Sequence, residues 1–89
     1  MEYDWDPHKR LLNIRKHGID FVDATLVFED ERALTIEDES HMEERFITIG
    51  ADAQGNILVV VYTHRLNHIR IISARKATKF EIRSYYGGL

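Results

Sequence analysis

The sequence contains no cysteine, so no disulfide staples the chain and no thiolate carries chemistry. That usage fits a reducing compartment, and the expected location is the cytoplasm. Proline occurs once, at Pro7, and no stretch reads as a linker, a repeat or a low-complexity tract. No apolar run approaches the roughly 18 residues that a bilayer span needs, so no membrane contact is expected. The first ten residues, MEYDWDPHKR, are charged and lack the apolar region of a signal peptide. A phosphate-cradling glycine loop, a nucleophile elbow and a zinc-finger pattern are all missing. His64 and His68 flank a turn with no third ligand at a recognisable spacing, so no metal or other cofactor is expected.

What remains is 89 residues, 44% hydrophobic and 30% charged, the make-up of one small folded domain over residues 1–89. The net charge of -3 is unevenly placed. Residues 20–44 hold ten acids against one base, Arg32, whereas residues 46–89 hold six bases against Asp52 and Glu81. The acidic stretch either keeps the domain soluble or forms a face with its own task.

The apolar period places the elements. EYDW alternates as a short strand, suited to a sheet edge. Asp6 and Pro7 start a helix over residues 7–17, with Leu11, Leu12 and Ile14 turned inward and Gly18 as its stop. Asp20 caps a second helix whose Phe21, Ala24, Val27 and Phe28 share one face. The period then drops to two. RALTIED, ERFITIGAD, ILVVVYTHR and HIRIIS read as strands, joined by turns at Gly55 and Asn56 and at Leu66 and Asn67. ARKATKFEIRSYYGG reads as a closing helix capped by Ser73 and stopped by Gly87 and Gly88. The expectation is an α+β fold: two N-terminal helices, an antiparallel sheet of three to five strands, and a C-terminal helix.

The stretch RIISARKATKFEIRSYY, residues 70–86, concentrates Arg70, Arg75, Lys76, Lys79 and Arg83 against Glu81 alone. A tight turn brings Arg65 close to Arg70 across two strands, where like charges repel unless an anion sits between them. The helix reading sets Arg75 and Lys76 at its positive end, which disfavours cations, and aligns Lys76, Lys79 and Arg83 as one stripe. Guanidinium forks pair with phosphate, and Tyr62, Phe80, Tyr85 and Tyr86 offer stacking faces. Two readings stand: contact with nucleic acid, or pairing of Arg65, Arg70 and Arg75 with acids of the same chain. Metal-free RNA cleavage would further need proton carriers, and His17, His64, His68, Glu81 and Tyr85 supply the side chains.

The residues also carry a family likeness. WDPHKRLLNIRKHGIDFVDATLVFED (residues 5–30), EERFITIG (43–50), and VVVYTHR with RIISARKATKFEIRSYY (within 59–86) resemble the BrnT toxins of type II toxin–antitoxin systems. The resemblance implies a RelE-like toxin domain with ribonuclease activity that arrests growth. It implies RNA as substrate and a BrnA-type antitoxin as partner, with operator DNA bound only through the toxin–antitoxin complex. By position it points to Lys16, His17, Arg45, Arg65, Arg70, Ser73, Arg75, Glu81 and Tyr85. In this reading Arg65, Arg70 and Arg75 hold the scissile phosphate, and Glu81, Tyr85 or His17 moves protons. Lys16, Arg45, His64, Lys76, Lys79 and Arg83 contact the rest of the RNA. The alternative is a non-catalytic nucleic-acid- or protein-binding module on the same fold.

Overall fold

The computed structural model describes residues 1–87. After a three-residue strand β1 (Glu2–Asp4), the Asp6 carboxylate accepts the backbone N–H of His8 at 2.8 Å and starts helix α1 (Pro7–His17). Gly18 ends it with φ 73°, a conformation that a Cβ would disfavour, and donates its N–H to the Ile14 carbonyl. The buried face of α1 is not the expected one. Leu11 and Leu12 are exposed, and the buried residue is Asn13. Its side-chain amide donates to the Ala74 and Ile19 carbonyls at 2.8 and 2.9 Å, and its oxygen accepts the Ala74 N–H at 3.1 Å. Asn13 thus stands in for a strand residue where β1 is too short to reach. Asn13→Ala should cost about 1–2 kcal/mol in urea unfolding, because it leaves buried backbone groups of Ala74 unpaired.

Asp20 caps helix α2 (Phe21–Ala24), which tightens into a 3-10 turn over Thr25–Glu29. Arg10 grips the same Asp20 with two hydrogen bonds of 2.8 Å, which fixes α1 against α2. Phe21, Ala24 and Val27 are buried and Phe28 packs beside them, as the spacing predicts.

Four strands follow: β2 (Leu34–Asp38), β3 (Arg45–Ala51), β4 (Ile57–Arg65) and β5 (His68–Lys76). They form an antiparallel meander, and β1 joins it parallel to β5, giving the order β1-β5-β4-β3-β2. The sheet is therefore mixed rather than wholly antiparallel: β2 runs opposite to β1, and the three reversals of the meander leave β5 running in the same direction as β1. Leu58, Val60, Tyr62, Ile69, Ile71 and Ala74 face the helices and make the core. Gly50 eases the passage of β3 beside the 3-10 turn, since a Cβ there would lie 3.1 Å from the Val27 carbonyl oxygen and its neighbours would have to give by a few tenths of an ångström.

The last helix begins later than the sequence suggests. Ser73, Arg75 and Lys76 all lie in β5, and the cap of α3 (Lys79–Tyr85) is Thr78, paired in a capping box with Glu81. Ser73 is no cap: it pairs with Val61, and pairing continues to Leu58 opposite Lys76. Arg75 and Lys76 therefore set no cations at a helix start, and Lys76 leaves the stripe expected with Lys79 and Arg83. Gly87 takes φ 74°, whereas Gly88 lies outside the described residues.

Candidate nucleic-acid interface

The sheet has a second face, turned away from α1 and α2, and strand parity decides what it carries. Arg70 and Arg75 are an odd number of residues apart and should point to opposite faces of a regular strand. The ladder shifts between them: Val61 is opposite Ser73, but Tyr62 is opposite Ile71. Ile72 is the extra residue, and this bulge puts Arg70, Ser73 and Arg75 on one side while Ile71 and Ala74 stay in the core. Arg65 lies opposite His68 and Arg70 opposite Thr63, so Arg65 and Arg70 are diagonal neighbours. In the parallel pairing of β1, Asp4 sits beside Arg70.

Arg65, His68, Arg70 and Asp4 line an opening of about 340 Å³. Asp4 Oδ2 accepts from Arg70 Nη1 at 3.2 Å and lies 3.1 Å from His68 Nε2. Among the described residues, two buried side-chain atoms have no hydrogen-bond partner: Asp4 Oδ1 and Arg45 Nε. Arg45 lies on the same face, one step beyond the paired Phe46 and Tyr62 and therefore beside Thr63. Unpartnered buried polar atoms are rare, and both lie on the row that runs from Arg45 through Thr63 and Arg70 to Asp4, which makes this end of the face the candidate site.

Each arginine also has a carboxylate of its own chain, and the three pairs differ. Arg65 meets Glu43 at 2.8 Å with both side chains about half exposed, a pair that water screens. Arg70 makes one long bond to Asp4. Arg75 is held by both oxygens of Glu81, at 2.8 and 2.9 Å. The same Glu81 carboxylate accepts the Thr78 N–H, and Arg75 lowers its pKa from 4.5 to about 2. A carboxylate so acidic is a poor proton acceptor, and the Arg75–Glu81 pair reads as the bolt between β5 and α3.

Tyr85 is buried and donates its hydroxyl to Asp30 at 2.5 Å, which raises its pKa to about 12. Glu81 and Tyr85 do both face the sheet, as their spacing suggests, but each is committed to a partner. His17 and Lys16 border a separate opening of about 270 Å³ beside Ile72 and Ser73, further along β5. His64 is on the helix-facing side of β4, its ring 4.9 Å from that of Phe46. Lys76, Lys79 and Arg83 are exposed near the far end of β5. The structure thus gathers Arg45, Arg65 and Arg70, holds Arg75 by Glu81, and sets His64 apart. Asp4 had no place among the expected site residues. Its only local signal is alternation within EYDW, which puts Tyr3 inward and Asp4 outward.

The family description "Ribonuclease toxin, BrnT, of type II toxin-antitoxin system" matches residues 5–81. The chain belongs to the BrnT family. Its fold is also that of a solved BrnT. The 1.1 Å crystal structure of the Brucella abortus ribonuclease toxin BrnT superposes with a TM-score of 0.71 and 28% identity, covering 89% of this chain and 99% of that one. No curated protein of similar sequence was found. BrnT proteins are ribonuclease toxins, and the pocket of Arg65, Arg70 and His68 has the charge and the proton carrier that RNA cleavage asks of a protein surface.

Proposed function

We propose that the chain is the RNA-cutting toxin of a type II toxin–antitoxin pair and that it cuts without a metal, at the Arg65, His68 and Arg70 opening. The observation that carries this reading is the meeting of two guanidiniums and an imidazole around one solvent-open pocket, with Asp4 behind the imidazole. His68 takes the proton from a ribose 2′-hydroxyl, whose oxygen attacks the adjacent phosphorus. The bond to the 5′ oxygen breaks, leaving a 2′,3′-cyclic phosphate, and water supplies the proton to that oxygen. Arg65 and Arg70 exchange their exposed carboxylate partners for the phosphate oxygens and neutralise the charge that grows on them. Arg45 holds a neighbouring phosphate, and Lys16 and His17 flank the strand beside Ser73.

Lys79 and Arg83, on α3, extend the track past the end of β5, while Lys76 closes β5 itself opposite Leu58 and adds charge apart from that track. Lys79→Ala with Arg83→Ala should weaken RNA binding and flatten its salt dependence by about 1.4 units of log–log slope on single-stranded RNA, read by fluorescence anisotropy. The neutralising partner is a BrnA-type antitoxin, and operator DNA is contacted only by the complex. The sequence likeness supports both assignments. Among the described residues no helix is long and apolar enough to cross a membrane.

The test is cleavage of RNA by purified protein in EDTA, together with growth on induction alone and with the neighbouring partner gene. Cleavage in EDTA and arrest relieved by the partner are the expected results. Cleavage only on adding a divalent ion would overturn the metal-free step. Absence of both cleavage and arrest would favour the binding module, a reading that the internal pairing of all three arginines already lends some weight.

A further inference from the structure

At the side of the sheet away from Asp4, β2 is the outer strand, and among the described residues no element covers its free edge. Its five residues pair with β3 in unbroken register, with no proline or bulge to blunt the edge. Alternation gives its sides different characters. Leu34 and Ile36 lie on the open face, 41% and 61% exposed, while Thr35 and Glu37 lie on the other. The loop that follows is acidic, and among the described residues Glu37, Glu39 and Glu44 have no cationic partner. Glu37 and Glu44 lie against one another, and their contact raises the pKa of Glu37. A cation set there would relieve that repulsion.

We propose that the β2 edge takes up an extended segment of a partner protein as a further strand, a segment that alternates cationic and β-branched side chains. Backbone pairing would supply affinity, and the alternation would supply specificity. Apolar residues of the segment meet Leu34 and Ile36, and its cations meet Glu37 and the acids beyond it. RNA is an unsuitable occupant because phosphates would face carboxylates. A second copy is unsuitable because β2 against β2 would add acid to acid. The inference needs the family assignment only in that a type II toxin has a protein partner.

The full chain, isotope-labelled, is titrated with a capped peptide of alternating lysine and valine. Amide shifts centred on residues 34–38 are expected. Ile36→Lys and Glu37→Lys should each weaken binding about tenfold, and N-methylation of the peptide's pairing amides should abolish it. Equal binding of the methylated peptide, or shifts centred on α1 or α3, would overturn the proposal. So would a sedimenting dimer that Ile36→Lys dissociates, since a second copy would then own the edge. RNA cleavage is measured on the same variants. If the parent chain cuts no RNA, the nuclease reading fails while the peptide result stands, and cleavage at the parent rate shows that a non-binding variant is folded.

Discussion

Arg70→Ala is expected to slow RNA cleavage by about 10²–10³-fold, and His68→Ala by about 10²–10⁴-fold, with little change in unfolding midpoint. Two features of the site set these sizes. The Arg70 side chain is about a third exposed and makes one 3.2 Å bond to Asp4, so little of the fold depends on it. In the proposed transition state the same guanidinium faces the added charge on phosphorus, where an oriented cation contributes most. Arg70→Lys should recover part of the loss, because an ammonium keeps the charge but not the fork. Asp4→Asn should separate orientation from charge: it keeps the shape beside His68 but removes the carboxylate, and a slower cleavage at unchanged stability would give that carboxylate a part in the reaction. Arg75→Ala serves as the contrast, expected to lower stability more than rate. Full activity in Arg70→Ala would remove this opening from the reaction. A large rate loss in a stable Arg75→Ala would move the site to the α3 end of the face.

The elements were legible wherever local pattern decides structure. Asp6, Pro7 and Gly18 delimit α1, and the change of apolar period from helix to strand separates α2 from the meander. The misreadings are places where a distant partner decides. Leu11 and Leu12 look like the inner face of α1, but Asn13 wins that position by pairing with Ala74, which only the assembled sheet supplies. Ser73 looks like a cap, but pairing with β4 carries the strand on to Lys76, and the Thr78–Glu81 box starts the helix. The arginines were legible as a cluster, but the bulge that gives Arg70 and Arg75 a common face leaves no mark in composition. Asp4 reaches Arg70 across 66 residues of sequence, through a parallel pairing that alternation alone does not announce.

The C-terminal helix should loosen at both ends of the pH scale, because its two bolts titrate at opposite extremes. Glu81 is held down from 4.5 to about 2, chiefly by the Arg75 hydrogen bonds. A depressed carboxylate pKa adds stability that is complete above about pH 4.5 and is lost as pH falls toward 2. The shift alone corresponds to about 3 kcal/mol, and the partial exposure of Arg75 reduces this to about 2 kcal/mol. Tyr85 is raised from 10.0 to about 12 by its bond to Asp30 and by burial. A raised phenol pKa adds stability that is complete below pH 10 and is lost as pH climbs toward 12. Urea unfolding across pH should therefore show a plateau with two falling limbs. Glu81→Gln should lower the plateau and flatten the acid limb alone, whereas Tyr85→Phe should flatten the alkaline limb and also soften the acid limb, because against the desolvation that raises it the Tyr85 hydroxyl helps hold the Asp30 pKa down. If Glu81→Gln left the acid limb as steep as before, other carboxylates would set it and the Arg75–Glu81 bolt would carry little of the fold. Because the bolt fastens α3 to the strand that bears Arg70 and His68, RNA cleavage at low pH should fail in step with that limb.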